Sequence, residues 1–507
     1  MESIKRTPPE RVAWLWLVLG AAFLPFTAWQ TVVPVAAWLA PVFLLRFMRT
    51  AKNIWLARLL VFFAYVLSIH IASRGMPFSP LGELGNVIVK SSAWALPYSV
   101  DRLLAGRLRY PARTLVFPLA FTTVEWAISL CPITSSGSIA YSQVGNLALL
   151  QILSITGTFG VTFLITWFAS VVNELWERRF NWQSMRKLLA AFAGILAATF
   201  LFGFLRMSFA APSSPTVPTA AITIEGGLSD HAVASIDWMR GNWVSEAQRE
   251  ALRRFFEPTA EQALVRSQAA LRDGSKLVGW QESGVWILEE DESRLVQRVS
   301  QLAAQYGAYV AASMEVLIHA KKLPVLRNES ILVDPSGNVL WTYDKSHPVP
   351  YDEAFATIAG PGRLPIVDTG YGRMSAAICY DTYFPSLIRQ AGIGGTDIFI
   401  APTNDPRPYA ESMAMLASCR AIENGFSMVR PTGHGISAMI DYEGRFIASQ
   451  DFFTSPGGVL EASLPARGIR TIYSRIGDAF AYLGAAVLAG LAVAAVVRAA
   501  RRRHATL

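Results

Sequence analysis

Eight apolar runs, each near the length of a bilayer crossing, constrain this chain more than any other feature of it. They lie near 12–28, 31–48, 54–73, 85–104, 113–130, 151–173, 187–208 and 475–498. A hydrocarbon core calls for roughly 20 consecutive apolar residues in a helix, because each backbone N–H and C=O must find its partner within the segment. Seven runs precede residue 211 and one follows residue 468. The long stretch between them reads differently and predicts a separate water-exposed domain. Composition fits a chain of two characters. Charged residues make up 16% and hydrophobic residues 52%, whereas soluble domains average about 25% charged. The first run resembles a secretory signal. The runs behind it and the lack of a convincing A-x-A site predict that it is retained.

The net charge of +8 is placed where it specifies topology. Lys5, Arg6 and Arg11 precede the first run; Arg46, Arg49 and Lys52 follow the second; Arg102, Arg107, Arg109 and Arg113 follow the fourth. Arg178, Arg179, Arg186 and Lys187 follow the sixth, and Arg498 with Arg501 to Arg503 follow the eighth. Positive charge marks the cytoplasmic side. Seven spans therefore predict that 212–468 lies outside the cytoplasm and that both termini lie inside. Charge clustered at run ends is membrane topology rather than a nucleic-acid stripe, so no nucleic-acid partner is expected. Polar residues within the runs call for separate explanations. Lys90 is read as snorkelling to the outer surface, and Glu125 as a structural or lipid-cavity residue.

Residues 211–218 read as a Pro/Ser-rich linker. Beyond them, short β-branched runs alternate with amphipathic stretches. Strands are predicted over 220–224, 276–280, 309–312, 330–333, 375–379, 397–401 and 436–440, and helices over 245–272, 291–306 and 413–424. Strands alternating with helices predict an α/β layered fold. Turn sequences at 334–337 and 441–444 add antiparallel pairs, so the sheet is expected to be mixed. The domain reading is 1–211 seven-span helical, 212–468 α/β, and 469–507 a last span with a basic tail.

The three cysteines, Cys131, Cys379 and Cys419, show no CxxC or Cys/His metal spacing. No disulfide framework, metal or organic cofactor is expected. Cys419 reads as a buried structural thiol. Three segments carry candidate chemistry: Val278-Gly-Trp-Gln-Glu282, Tyr343-Asp-Lys345 leading through His347 to Glu353, and Ala376-Ala-Ile-Cys379-Tyr380-Asp381. A thiol attacks well only when deprotonated, so a carboxylate base suits it. An ammonium and a backbone N–H suit the oxyanion that follows.

In this order and with these neighbours, the three segments resemble the Glu-Lys-Cys signature of the nitrilase superfamily. Together with the apolar runs, the whole chain resembles apolipoprotein N-acyltransferase, the membrane-bound branch of that superfamily. Ala22-Phe-Leu-Pro-Phe26, Val124-Glu-Trp126, Arg420-Ala-Ile-Glu423 and Arg430-Pro-Thr-Gly433 carry the resemblance outside the triad. It implies a multi-span α-helical membrane domain and an αββα nitrilase-like sandwich in the bacterial inner membrane. It further implies that Cys379 is the nucleophile, Glu282 the base and Lys345 the oxyanion partner, with the Tyr380 N–H as second donor and Glu353 supporting the lysine. The implied reaction moves a fatty acyl chain from a phospholipid through a thioester to the α-amine of a diacylglyceryl-modified lipoprotein cysteine.

The sequence departs from the family pattern at three places. Gln281 stands where Pro is usual before the base, and Asp381 where Glu is usual after the nucleophile. The resemblance implies a substrate loop that includes Asn404, Asp405 and Tyr409; after Asp405 it runs Pro406-Arg-Pro-Tyr409 and lacks the usual aromatic lid, for which Tyr409 is the candidate replacement. That altered loop leaves open a membrane-anchored amide hydrolase or a non-catalytic relative.

Overall fold

The computed structural model describes residues 10–28, 30–74, 80–131, 137–210, 212, 214–225, 245–320, 322–350 and 353–504. Lys5 and Arg6 lie outside them. The chain forms two compact units, Met1–Phe209 with Ile476–Leu507, and Ala210–Arg475.

The first unit is helical. Ile54–Ala72, Thr158–Glu177, Trp182–Phe209 and Ala479–Arg502 are long and apolar enough to cross a membrane. The other expected runs fall on helices Glu10–Phe23, Pro34–Thr50, Pro80–Leu104 and Val116–Ser129. The run near 151–173 is not one helix. Two short helices, Leu147–Leu150 and Leu153–Thr156, precede Gly157, whose φ of 61° breaks the path before Thr158–Glu177 begins.

Several polar groups inside this unit are matched to one another, which offsets the cost of burying them. Asn173 Nδ2 donates to the Val42 carbonyl at 3.0 Å, tying two helices together. The Glu125 carboxylate accepts from Ser138 Oγ at 2.7 Å and Thr162 Oγ1 at 2.8 Å, which supports the structural reading of that residue. Lys90 differs from expectation. It is buried among the helices rather than reaching the surface. Several basic residues read as topology markers are also clamps. Arg49 pairs with Asp101 at 2.7 Å and Glu177 at 3.1 Å, while Glu174 holds Arg113 at 2.7 Å and Arg178 at 2.6 Å.

The second unit is a sandwich of two mixed sheets with helices on the outside. One sheet runs, in spatial order, Val459–Pro465, Thr216–Ile222, Leu277–Trp280, Tyr309–Leu317, Leu326–Val333 and Val339–Asp344, with Trp286–Leu288 also paired to Tyr309–Leu317. The other runs Phe446–Asp451, Ile436–Ile440, Ser427–Arg430, Ile398–Ile400, Gly372–Ala376 and Ile366–Thr369. Both expected turns join antiparallel neighbours. Side-chain alternation assigns the layers. Val217 and Ala221 enter the core between the sheets, whereas Ala220 and Ile222 enter the one beneath helices Glu246–Arg272 and Glu289–Tyr306. Leu277 and Val278 divide in the same way, as do Ala311 and Val310. Helices Pro385–Gly394 and Ala410–Asn424 cover the second sheet. Ser245 caps the first long helix with a reciprocal Gln248 box, which fixes its start where the sequence placed it.

Two readings change. The supposed linker is already strand from Thr216, because Val217 is fully buried and Pro218 uses its carbonyl, accepting the Lys276 N–H at 2.7 Å. The strand predicted to end at Cys379 stops at Ala376, and Cys379 opens a 3₁₀ turn to Tyr383.

Asp101→Asn would leave the Arg49 guanidinium, 10% exposed, with half its compensation. Stranding a charge in this way is expected to destabilise the first unit by about 3 kcal/mol. Thermal unfolding in detergent should show a lower midpoint; an unchanged one would mean that the pair contributes nothing net.

Candidate active site

Three strand ends bring the three segments together. Glu282 follows Leu277–Trp280, Lys345 follows Val339–Asp344, and Cys379 follows Gly372–Ala376. The turns that aim them are strained. Five non-glycine residues among those described have positive φ, and two of them are Ser283 at 54° and Cys379 at 46°, the turn beside Glu282 and the thiol itself. A third, His434 at 52°, hydrogen-bonds Asn404 Oδ1 at 2.9 Å. Such backbone is held only where its surroundings over-determine it. At Cys379 those surroundings include the Pro402 carbonyl, which accepts the Cys379 N–H at 2.9 Å.

Lys345 is the centre of the cluster. Its ammonium is 1% exposed, donates to Glu282 Oε1 at 2.8 Å and is paired with Glu353. Burial opposes the charge, but the Glu282 and Glu353 carboxylates outweigh it and hold Lys345 well above the usual lysine range. Glu353 is itself fixed, since Oε1 accepts the Val349 N–H at 2.9 Å. Burial pushes the Cys379 thiol well above its ordinary value, and the Glu282 carboxylate pushes it further, with Lys345 pulling back. At rest Cys379 is therefore a thiol rather than a thiolate. Its Sγ lies 3.8 Å from the Asn404 carbonyl.

The sequence did not single out two residues that complete this arrangement. Asn328 Nδ2 donates to Glu282 Oε1 at 2.8 Å, and its carbonyl accepts the Lys345 N–H at 2.9 Å, so one residue fixes both partners. Glu315 is buried in Tyr309–Leu317, opposite Asn328. For Glu315 the signal was the one charged residue of a strand that is otherwise almost wholly apolar; Asn328 lies in the polar run 327–330, which gave no such signal. Close approach also matters. Gly360 donates its N–H to the Lys345 carbonyl at 2.8 Å, and a Cβ there would sit 2.1 Å from the Asp344 carbonyl oxygen.

Each departure from the family pattern has a physical place. The fully buried Asp381 joins the lysine loop to the cysteine turn. It accepts the Tyr343 hydroxyl at 2.7 Å, the His347 N–H at 2.9 Å, the Ser346 N–H at 3.3 Å and the Ile378 N–H at 3.2 Å, and it contacts His347 Nδ1 at 2.9 Å. Gln281 accepts the Ile224 N–H at 3.0 Å. Asp405 is buried and ion-paired with Arg430 at 2.6 Å, and Tyr409 is buried as well. Near the thiol, Tyr380 packs on Tyr383 at 4.7 Å and on Phe384 at 5.3 Å, and Phe384 stacks on His347 at 3.7 Å. Cys419 is fully buried in Ala410–Asn424.

Residues 17–171 match the model of the apolipoprotein N-acyltransferase N-terminal domain, and residues 248–472 match that of carbon-nitrogen hydrolases. The two matches together are those of the apolipoprotein N-acyltransferase family, which the chain resembles over most of its length. An apolipoprotein N-acyltransferase of Bradyrhizobium diazoefficiens is 28% identical, over 84% of this chain and 80% of the relative. One of Geobacter metallireducens is 28% identical over 76% and 75%. An amidase from Nesterenkonia sp. aligns in structure with 54% of this chain and 98% of its own, at 16% identity and a TM-score of 0.40.

Asp381→Asn tests the link between the two loops. An amide must turn its NH₂ toward some of the N–H groups that now donate to it, a loss of about 2 kcal/mol. A lower unfolding midpoint is expected together with slower alkylation of Cys379 by iodoacetamide, followed by intact mass. Wild-type behaviour in both would show that Asp381 does not hold the site.

Proposed function

We propose that this protein N-acylates lipoproteins by two acyl transfers through Cys379. The observation that carries the reading is a buried Glu282–Lys345 pair, joined by the partly exposed Glu353 and acting electrostatically on the Cys379 thiol, in a chain that also has apolar helices long enough to cross a membrane. In the first transfer Glu282 takes the thiol proton as Sγ bonds to an ester carbonyl carbon of a phospholipid. Lys345 and the Tyr380 N–H stabilise the oxyanion. The C–O bond breaks, Glu282 returns the proton to the leaving alkoxide, and a thioester remains.

In the second transfer the α-amine of an S-diacylglyceryl cysteine attacks the thioester and gives a proton to Glu282. The C–S bond breaks, an amide forms, and Glu282 returns the proton to the departing Sγ, which restores the thiol. Glu353 keeps Lys345 charged and oriented throughout. A base that must act on a thiol of raised pKa suits a site whose Cys379 is not a resting thiolate. The basic loops support placing residues 212–468 on the extracytoplasmic side of the bacterial inner membrane with both termini in the cytoplasm. A membrane anchor suits lipid-borne donor and acceptor, because it replaces a dilute encounter with a local one.

Intact-mass spectrometry after incubation with phospholipid tests the reading. Wild type is expected to gain one fatty-acyl mass, and a diacylglyceryl peptide should discharge it. Cys379→Ala should gain nothing. Glu282→Gln and Lys345→Ala should each slow acylation by roughly 10²-fold or more. An adduct discharged by water alone would point to a hydrolase, and no adduct with any phospholipid would remove the acyl-donor assignment.

A further inference from the structure

Lys345 is surrounded by more carboxyl groups than one ammonium can balance. Oxygens of Glu282, Glu315 and Glu353 all lie within 4.8 Å of one another. Glu282 and Glu353 pair directly with Lys345, whereas Glu315, 3% exposed, accepts the Ser283 hydroxyl at 2.8 Å. Like charges crowded in a closed site do not all ionise. Glu282 has to be anionic to accept a proton, and Glu353, although burial pushes it up as well, touches the ammonium and is 22% exposed, so the retained proton belongs on Glu315. Burial, then the Glu353 and Glu282 carboxylates, push Glu315 well above the usual carboxylate range.

We propose that Glu315 is a positioning residue of the catalytic cluster, a neutral carboxylic acid whose proton keeps Lys345 able to stabilise the oxyanion and whose ionisation shuts the site at alkaline pH. The inference rests on the proposed role of Lys345. When Glu282 has taken the thiol proton, Lys345 faces the Glu353 carboxylate and the new oxyanion. A neutral Glu315 leaves that group with one net negative charge; an ionised Glu315 would leave two. The other charges nearby are already engaged. Arg327 and Glu329, which flank Asn328 on the adjacent strand, pair with each other at 3.0 Å, and Arg327 pairs with Glu292 at 2.5 Å. Asp344 lies opposite Glu329 on the next strand, and Cys379 acts on the cluster through Lys345 and Glu282.

The sign of the effect on stability follows from proton linkage. An unfolded glutamate loses its proton near about pH 4.3, while folded Glu315 keeps it to higher pH. Its contribution to folding is therefore full below that pH and is progressively lost as pH rises toward the folded value. Glu315→Gln is isosteric, can still accept from Ser283 and cannot ionise.

The test uses the full-length protein in detergent, with thermal unfolding of wild type and Glu315→Gln followed from about pH 4 to about pH 9. The midpoint of the variant is expected to gain on that of wild type steadily as pH rises. In the acyl-transfer assay the alkaline fall in rate is expected to move up by about one pH unit or more. A midpoint difference constant over the whole range would overturn the proposal, as would a parallel loss of rate exceeding tenfold at every pH. Glu315→Met, which also cannot ionise, serves if the Gln variant does not fold. The unfolding measurement needs no acyl substrate, so it decides the state of Glu315 even if the wild type transfers no acyl group.

Discussion

A single buried ammonium sets the terms for the rest of the α/β unit. Lys345 is almost wholly removed from water, and an uncompensated charge in such a place is strongly destabilising. Compensation is built from three directions. Glu282 comes from a strand end in the centre of one sheet, Glu353 from the far end of the lysine's own loop, and Asn328 from the neighbouring strand, holding both Glu282 and the Lys345 backbone. The strained turns at Ser283 and Cys379 make sense in this setting. The sandwich fixes where the strands end, and the last residues must bend to reach one point.

The same requirement takes a different form in the helical unit. Apolar helices need little from sequence beyond length, but their buried polar groups must find one another. Asn173 reaches a carbonyl on another helix, Glu125 takes two hydroxyls, and Arg49 is gripped by Asp101 and Glu177. Arginines read from the sequence as topology markers thus also fasten helices together. A charge count along the chain suggests the first role and is blind to the second, because the partners lie dozens of residues away.

Departures from the family pattern test whether the site survives them. Asp381 has one methylene less than the usual glutamate, yet it accepts backbone N–H groups from both loops together with the Tyr343 hydroxyl. Gln281, in place of proline, ties the Glu282 turn back to Ile224. Asp405, read from the sequence as a substrate-loop residue, is engaged by Arg430 inside the protein. The altered segment after it forms a short 3₁₀ turn and leads into the helix Ala410–Asn424, with Tyr409 buried at the junction.

Periodicity and order along the chain determined much by themselves. The layered α/β unit, its mixed sheets, the capped start at Ser245 and the Glu282, Lys345 and Cys379 segments were all legible, since alternation, capping and turn chemistry act over a few residues. Local signals misplaced three boundaries: the Pro-rich stretch that is strand from Thr216, the helix broken at Gly157, and the strand that stops before Cys379. Only the tertiary structure decided that Asn328 and Glu315 face the cluster, that Asp381 joins two loops, and that Lys90 is buried. Those facts depend on register between strands and on packing between helices. Such contacts join residues far apart in the chain, and no window of sequence contains them.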